Sequence, residues 1–364
     1  MKAKALVYSE SELGQIDGKV ANGLVRHSEK YEILGIIDST KEGCDAGEYL
    51  DGIKNGIPVF KDLDKAIEKL GFVPQYFIYG IAPLESFLDK EQRTTILYAM
   101  KKGMDIVNGL PEFLTEDEEF IEMSAKYDVR IFDIRKAPQR KDLHHFTGRI
   151  HNVQTPVITV LGTDCAVGKR TTAVNLVNAL RDEGLKTSFI ATGQTGLLQG
   201  AKYGVAVDVL SSGFASGEVE NAVVNASEND NPDIIVVEGQ GALSHPAFTS
   251  SSAIIRGAVP NAIIIQHPPN RKNHCDYPEI PMPTLESEIE LLEVFSKSPV
   301  IAITLNHEDM TDEEVKETIV EYEYKHELPT TDILKFGSKK LVETLLKVFP
   351  QLQKKVSAIC PPQE

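Results

Sequence analysis

The sequence predicts an α/β protein in which a Rossmann-like N-terminal domain is followed by a P-loop NTPase-like C-terminal domain with a parallel sheet. Three observations predict this arrangement. The chain has 364 residues, which is enough for two domains that each bury a core. Short apolar runs alternate with amphipathic stretches, as in parallel sheets covered by helices. A glycine-rich loop stands between an apolar run and a helical pattern near the middle of the chain.

Five apolar runs in the first 135 residues have the length and composition of strands. Helical patterns fall between these runs, which favours a parallel sheet that is covered on both faces. One helix start is indicated by Thr115 and Glu118, which have the spacing of a capping box. The predicted strands are residues 3–8, 33–38, 76–81, 105–108 and 129–134.

One residue of the first domain fits a dinucleotide site, but the glycine motif of such a site is missing. Asp38 ends its strand in the way that a ribose-binding acid does. The nearby glycines, Gly14, Gly18 and Gly23, lack the G-x-G-x-x-G spacing that lets a backbone approach a pyrophosphate. The first domain is therefore predicted from its strand pattern and not from a cofactor motif.

The pattern breaks at residues 135–149, a polar and basic segment that contains Pro138. We place the domain boundary there, with residues 1–148 in the first domain and residues 149–364 in the second. Continuous apolar runs, typical of central parallel strands, then follow. The predicted strands of the second domain are residues 157–161, 187–191, 234–237, 262–266 and 300–305.

Composition excludes several classes of partner. The chain has 38 Lys and Arg against 54 Asp and Glu, and the net charge of −16 repels a nucleic-acid backbone. There is no apolar stretch near 18 residues and no signal-peptide pattern, so we expect a cytoplasmic protein without a membrane span. We further expect a homo-oligomer. The four cysteines have neither zinc nor redox spacing and are predicted to be free thiols: Cys44, Cys165, Cys275 and Cys360.

Residues 162–172 have the order of a P-loop, because they follow a predicted strand and lead into a helical pattern. The glycines allow backbone N–H groups to surround phosphate oxygens, the helix N-terminus adds its dipole, and Lys169 adds a charge. The residues predicted to bind the phosphates of a cofactor are Gly162, Thr163, Asp164, Gly168, Lys169, Arg170, Thr171 and Thr172.

The loop departs from the usual P-loop at one position. Arg170 follows Lys169, where a Ser or Thr would normally ligate Mg²⁺, and the hydroxyl is displaced to Thr171. Thr171 is predicted to reach a metal if Mg²⁺ is used. The alternative is that Arg170 contacts a phosphate bidentately and makes the metal less necessary.

A second group of candidates follows the strand at residues 234–237. Glu238 stands where P-loop proteins hold Mg²⁺, and His245 lies in the short loop that comes next. A carboxylate and an imidazole at one strand end are both suited to general acid–base chemistry. We therefore predict Glu238 and His245 as catalytic residues, and Glu238 with Thr171 as the metal ligands if Mg²⁺ is bound.

Three further strand ends carry polar side chains. Thr192, Gln194 and Thr195 follow the strand at residues 187–191 and are predicted to bind the substrate. Arg271 follows the strand at residues 262–266 and suits a substrate carboxylate. Asn306 ends the strand at residues 300–305, where P-loop folds of this kind often contact a purine base, and it is predicted to bind the cofactor.

Two resemblances extend this interpretation. The start of the P-loop (residues 162–164), its end (residues 167–169) and residues 237–241 are similar to the corresponding segments of dethiobiotin synthetase, which activates a carboxylate with ATP. Over nearly its whole length the chain resembles the D-glutamate N-acetyltransferase family, long catalogued as a conserved domain of unknown function. The segments that carry this second resemblance are residues 135–138, 143–148, 162–172, 191–196, 238–246 and 328–332.

The family resemblance implies transfer of an acetyl group from acetyl-CoA to the amine of a D-amino acid, with D-glutamate as the expected acceptor. A phosphate cradle suits CoA, which carries a diphosphate and a 3′-phosphate, as well as it suits ATP. Two alternatives stay open at this point. One is an ATP-dependent and Mg²⁺-dependent ligase or kinase of the dethiobiotin synthetase type, and the other is a nucleotide-binding regulator that turns nothing over.

Overall fold

The computed structural model describes residues 2–83 and 87–359. Contacts between residues divide the chain into two units. The first unit comprises Met1–Ala137 and Gln194–Ala201, and the second comprises Pro138–Gly193 and Lys202–Glu364. Residues 138–148, which fall before the predicted boundary, thus group with the second unit, where the carboxylate of Glu220 accepts hydrogen bonds from the N–H group and hydroxyl of Thr147. Cys360 lies outside the described residues.

The described part of the first unit contains a six-stranded parallel sheet of order β3-β2-β1-β4-β5-β6. Its strands are β1 (Ala3–Tyr8), β2 (Tyr31–Ile37), β3 (Val59–Phe60), β4 (Tyr76–Tyr79), β5 (Asp105–Asn108) and β6 (Ile131–Asp133). Its helices are α1 (Lys19–Arg26), α2 (Ala46–Asp51), α3 (Leu63–Leu70), α4 (Lys90–Lys101) and α5 (Glu118–Tyr127). The five predicted strands are confirmed, and the two-residue strand β3 was too short to produce a periodic signal.

Both faces of this sheet are buried, which is why its strands read as continuous apolar runs. Leu6 and Phe77 belong to one apolar cluster, whereas Val7 and Ile78, their neighbours in sequence, belong to another. Successive side chains of a strand point to opposite faces, so the two clusters lie on opposite sides of the sheet.

The start of α5 corrects one sequence prediction. The helix begins at Glu118 and is capped by Asp117, whose carboxylate accepts from the N–H groups of Glu119 and Phe120. Thr115 instead donates its hydroxyl to Asp133 at 2.6 Å. The predicted capping box of Thr115 and Glu118 is therefore wrong, because an Asp two residues later competes for the same helix end.

The second sheet is also parallel, with seven strands among the described residues in the order β13-β12-β11-β7-β10-β8-β9. Its strands are β7 (Val157–Gly162), β8 (Thr187–Ala191), β9 (Tyr203–Gly204), β10 (Ile234–Glu238), β11 (Ala262–His267), β12 (Val300–Leu305) and β13 (Thr330–Thr331). The five predicted strands are confirmed, and the two short outer strands β9 and β13 were missed.

The helices that follow in chain order are α6 (Lys169–Asp182), α7 (Gln194–Gln199), α8 (Ser212–Asp230), α9 (Ser250–Ala258), α10 (Leu285–Ser296), α11 (Asp312–His326), α12 (Ile333–Phe336), α13 (Lys339–Val348) and α14 (Pro350–Ile359). Among them α7 groups with the first unit, although the strands on either side of it belong to the second. Within the described residues, no helix has the length and apolarity needed to cross a membrane.

Candidate functional site

Four neighbouring strands of the second sheet deliver polar residues to the same edge. Strands β11, β7, β10 and β8 lie side by side and are parallel, so their carboxyl ends meet. In open α/β sheets this edge is where ligands bind. The P-loop follows β7 at the centre of the sheet, and Glu238 ends β10 beside it.

The P-loop depends on glycine at two positions. Gly168 has φ +102°, a conformation that favours glycine, and helix α6 begins at the next residue. A Cβ at Gly162 would lie 2.8 Å from the carbonyl oxygen of Gln266 on β11. The loop is thus folded tightly between two strands, with the N–H groups of a 14-residue helix at its end. This arrangement is the physical requirement for binding phosphate oxygens.

Lys169 lies inside the loop. Its side chain is buried, and Nζ donates to the carbonyl oxygen of Asp164. Burial lowers the pKa of Lys169, and the nearby Cys165 and Asp164 counteract this effect. The loop therefore encloses an amine whose charge is stabilised further by any anion that reaches it.

Asp164 is a fully buried member of the loop whose carboxylate accepts hydrogen bonds from three residues of the segment after β11. The donors are Nδ1 of His274 at 2.6 Å, Nη1 of Arg271 at 2.9 Å and the N–H group of Cys275 at 2.9 Å. Burial opposes ionisation, but these hydrogen bonds outweigh it and lower the pKa of Asp164. Asp164 is consequently an ionised anchor that joins the P-loop to the segment after β11.

Arg271 is held by two carboxylates in this structure. Its guanidinium donates to Asp164 and to the carbonyl oxygen of Cys165 on one side, and to Glu308 on the other. A role in binding a substrate carboxylate stays a prediction for Arg271. The contacts that the structure shows for it fix the P-loop against the loops after β11 and β12.

Asn306 also contacts the P-loop. Its amide Nδ2 donates to the carbonyl oxygen of Val167 at 3.1 Å, while its Oδ1 accepts from the N–H group of Glu308. The hydroxyl of Thr163 is 2.9 Å from Nδ1 of His267. Several polar residues around the loop thus hold its backbone in shape, and a cofactor role for Asn306 and Thr163 stays a prediction.

Glu238 is buried, and few hydrogen-bond donors stabilise the charge of its carboxylate. The residue is 5% exposed, and its Oε2 accepts from the N–H group of Thr192 at 3.1 Å. Burial raises the pKa of Glu238 to about 7, against the charge of Arg170 and the N–H groups of Thr192 and Gly193, which lower it. A carboxyl group with this pKa exchanges its proton near neutral pH.

Thr192 ties the end of β8 to the end of β10. Besides the N–H contact, its hydroxyl donates to the carbonyl oxygen of Glu238 at 2.9 Å and accepts from Nε2 of Gln240 at 3.0 Å. The structure therefore brings together Thr192, a predicted substrate-binding residue, and Glu238, a predicted catalytic residue. Gln194 and Thr195, the other two predicted substrate residues of this segment, lie in α7 and group with the first unit.

The hydroxyls of the P-loop bear on Mg²⁺ binding. Thr172 donates to Oε1 of Gln266 at 2.6 Å and so faces the sheet. At the position where a Mg²⁺-ligating hydroxyl is usual stands Arg170, whose positive charge acts on Glu238. The positive charges of Arg170 and Lys169 both act on Glu238, which disfavours a further cation beside this carboxyl group. The metal roles of Thr171 and Glu238 stay predictions.

His245 occupies the loop after β10, and its ring is buried. It stacks on Phe248 with the ring centroids 4.6 Å apart and meets His274 edge-on at 4.6 Å. The loop is held by Glu288 of α10, a fully buried carboxylate that accepts from the N–H group of Leu243 and the hydroxyl of Ser244. The imidazole is thus positioned from a separate helix.

Sequence reasoning missed several residues of this site. Glu288, His274 and Gln266 each contact a predicted site residue or its loop, yet none stands in a recognisable motif. The sequence does not single out Glu288, because helix α10 has two acids in its first turn, Glu286 and Glu288, and acids are common there. Burial raises the pKa of Cys165 to about 12, so the thiol in the P-loop stays protonated near neutral pH.

The fold and the site define a class of two-domain α/β proteins with a Rossmann-like unit and a P-loop unit. Residues 39–137 match a domain of unknown function described as the DUF1611_N Rossmann-like domain, and residues 144–342 match the DUF1611_C P-loop domain. The chain belongs to the DUF1611 family. A crystal structure of a DUF1611 family protein from Anabaena variabilis has a TM-score of 0.86 at 29% identity and covers 95% of this chain and 100% of that chain.

Two curated relatives carry the name of an activity. A D-glutamate N-acetyltransferase from Pseudoalteromonas sp is 33% identical over 275 residues, covering 74% of this chain and 80% of the relative. A D-glutamate N-acetyltransferase from Tritonibacter scottomollicae is 26% identical over 287 residues, covering 74% of this chain and 81% of the relative. The family predicted from the sequence motifs is therefore confirmed.

Proposed function

We propose that this protein is an N-acetyltransferase that moves an acetyl group from acetyl-CoA to the amine of a D-amino acid, with D-glutamate as the acceptor. The names of the two curated relatives support the reaction class. The structural observation that carries the proposal is Glu238, a buried carboxyl group with a pKa raised to about 7, at the sheet edge beside the P-loop.

In this proposal the P-loop binds the phosphates of CoA. The N–H groups at the start of α6 and the ammonium of Lys169 provide donors and positive charge at the loop, and Arg170 adds a guanidinium suited to bidentate contact with phosphate. The two cations replace the combination of one cation and Mg²⁺ that a nucleotide-hydrolysing P-loop uses. Such a site binds a diphosphate but does not help to cleave it.

Glu238 accepts the proton that the acceptor must lose. An amino acid arrives as an ammonium ion, and its nitrogen attacks only after deprotonation. The free amine forms a C–N bond with the thioester carbonyl carbon, and the C–S bond breaks. The nitrogen loses its second proton as it becomes an amide, and the leaving CoA sulfur takes up that proton. A base whose pKa lies near the working pH is the most effective choice for this step.

The test is release of free CoA thiol from acetyl-CoA, measured with D-glutamate and with a panel of other D- and L-amino acids. We expect thiol release with D-glutamate, and we expect it to persist in EDTA. If the wild-type protein releases no thiol with any amine, the proposal fails. If turnover instead needs ATP, is lost in EDTA and returns on addition of Mg²⁺, the ligase or kinase alternative replaces it.

A further inference from the structure

The imidazole of His245 is held in one protonation pattern by its own loop. Its Nδ1 lies 3.2 Å from the backbone nitrogen of Ala247 and 3.3 Å from that of Phe248, and both N–H groups donate to it. An imidazole nitrogen that accepts hydrogen bonds carries no proton. The single proton of the neutral ring is therefore on Nε2.

The neutral ring is also the favoured form near neutral pH. Burial lowers the pKa of His245, the neighbouring His274 lowers it further, and Asp164 acts in the opposite direction. His245 thus presents an N–H group at Nε2, and the basic nitrogen of the ring is occupied by backbone donors. This arrangement leaves Glu238, and not His245, as the predicted base with an available lone pair.

The Nε2–H group is a buried donor without an acceptor among the residues that the structure describes. The side chain of His245 is 0% exposed. The carboxylate oxygen Oδ1 of Asp164 lies 3.7 Å away, which is beyond hydrogen-bonding distance, and it already accepts from His274. Buried donors are normally paired, so an unpaired one beside the P-loop points to an acceptor that a ligand would bring.

A metal site is an alternative interpretation of the same cluster. Asp164, His245 and His274 each offer a ligand atom within 4.8 Å of the others. Coordination through Nε2 of His245 would move the ring proton to Nδ1, where it would face the two N–H groups of Ala247 and Phe248. The loop geometry therefore opposes a cation at this nitrogen and favours an oxygen acceptor.

We propose that Nε2–H of His245 donates to the carbonyl oxygen of the acetyl thioester and stabilises the negative charge that develops there when the amine attacks. This inference rests on the proposed acetyl transfer. As the tetrahedral intermediate forms, the carbonyl π electrons move to the oxygen, and they return when the C–S bond breaks. Among the charged groups that act on this imidazole, Lys169 favours negative charge at that oxygen, whereas the carboxylates of Asp164 and Asp276 oppose it.

The kinetic test compares His245→Gln, which retains an N–H donor at the end of its side chain, with His245→Leu, which has none. Loss of one such donor typically costs about 10²–10³ in rate, so we expect that loss in kcat for His245→Leu. We expect kcat of His245→Gln to be at least about tenfold higher than kcat of His245→Leu. We expect the acetyl-CoA affinity to be similar in both variants. Equal turnover of His245→Leu and the wild type would overturn the inference and leave the acetyl transfer standing.

A spectroscopic test decides the donor assignment without turnover. Long-range proton–nitrogen correlation spectra of protein labelled with ¹⁵N-histidine, with His245→Gln used for assignment, report which ring nitrogen is protonated. We expect Nε2–H in the free protein and a displaced Nε2–H resonance on addition of acetyl-CoA. A proton on Nδ1, or a resonance that acetyl-CoA leaves unmoved, contradicts the inference, whereas failure of the acetyl transfer itself appears as absence of thiol release by the wild type.

Discussion

Two acids stand at the carboxyl ends of buried parallel strands, one in each unit, and their surroundings differ. Asp38 follows β2, is fully buried and accepts from the N–H groups of Leu13 and Thr40 and from Nζ of Lys41 at 3.1 Å. The ion pair and the backbone donors replace the water that Asp38 loses. Its carboxylate closes the loop after β1 and fixes the turn after β2.

Glu238 is nearly as buried as Asp38, but fewer hydrogen-bond donors stabilise its carboxylate. Its backbone donors and the charge of Arg170 do not offset burial, which raises its pKa to about 7. The comparison shows that an acid at a strand end does not by itself define a site. The groups that replace its water decide whether the acid anchors a loop or exchanges protons.

The largest expected effect separates the two acids by activity. Glu238→Gln keeps size and polarity but removes the base, so we expect kcat to fall by about 10²–10⁴ with little change in acetyl-CoA affinity. Asp38→Asn should leave kcat within about twofold, because the hydrogen bonds that the structure shows for Asp38 come from Leu13, Thr40 and Lys41 of the first unit. Steady-state thiol release and calorimetric titration of acetyl-CoA measure both quantities. Normal turnover by Glu238→Gln would remove Glu238 from the mechanism.

The second prediction concerns the pH dependence of folding. The pKa of Glu238 is raised from 4.5 to about 7 on folding, so the folded protein binds this proton more tightly than the unfolded chain does. The free energy of unfolding therefore loses a contribution as pH rises from about 4.5 to about 7, by about 3 kcal/mol at most. Glu238→Gln should gain stability over the wild type across this range in urea unfolding. The control is Glu228→Gln at an exposed carboxylate, and an equal gain there would contradict the assignment.

The third prediction tests the P-loop. Lys169→Ala removes the central cation, so we expect acetyl-CoA to bind about 10- to 150-fold more weakly, the range for a hydrogen bond to a charged group. Lys41→Ala in the first unit is the matched control, because Lys41 pairs with Asp38 and lies in the other unit. Calorimetry measures the affinity, and circular dichroism checks that the fold is retained. Unchanged affinity in Lys169→Ala would show that the loop does not bind CoA phosphates.

The smallest expected effect is structural. Asp38→Asn weakens an ion pair and the hydrogen bonds of two backbone donors, and we expect a loss of about 1–3 kcal/mol in the free energy of unfolding. Urea unfolding monitored by circular dichroism measures it. A loss of acetyl-CoA turnover at full stability would instead indicate that the first sheet edge takes part in the reaction.

Much of the fold could be predicted because the strands are buried on both faces and read as apolar runs. Ten such runs predicted ten strands, and several boundaries agree to the residue, as for β8 and β12. The strands β3, β9 and β13 have two residues each and carry no periodicity of their own. Their pairing depends on neighbours that are distant in sequence, which no local pattern records.

The parts of the candidate site that stand in sequence motifs could be predicted, and the other parts could not. The P-loop and Glu238 follow from strand, loop and helix order, whereas the roles of individual side chains depend on hydrogen bonds across the sheet edge. The pairing of Asp164 with His274 joins residues 110 positions apart. The protonation pattern of His245 depends on two backbone N–H groups whose directions exist only in the folded loop.

The position of α7 has a consequence for the order in which the protein is made. Gln199 of this helix donates to the carbonyl oxygens of Gly23 and His27, and Leu198 packs in a core cluster of the first sheet. The first unit therefore lacks one of its packed helices until the ribosome has synthesised Ala201, which comes after β7 and the P-loop in the chain. A fragment that ends at Ala137 would expose the surface that α7 covers, so the N-terminal unit is discontinuous in biosynthesis as well as in sequence.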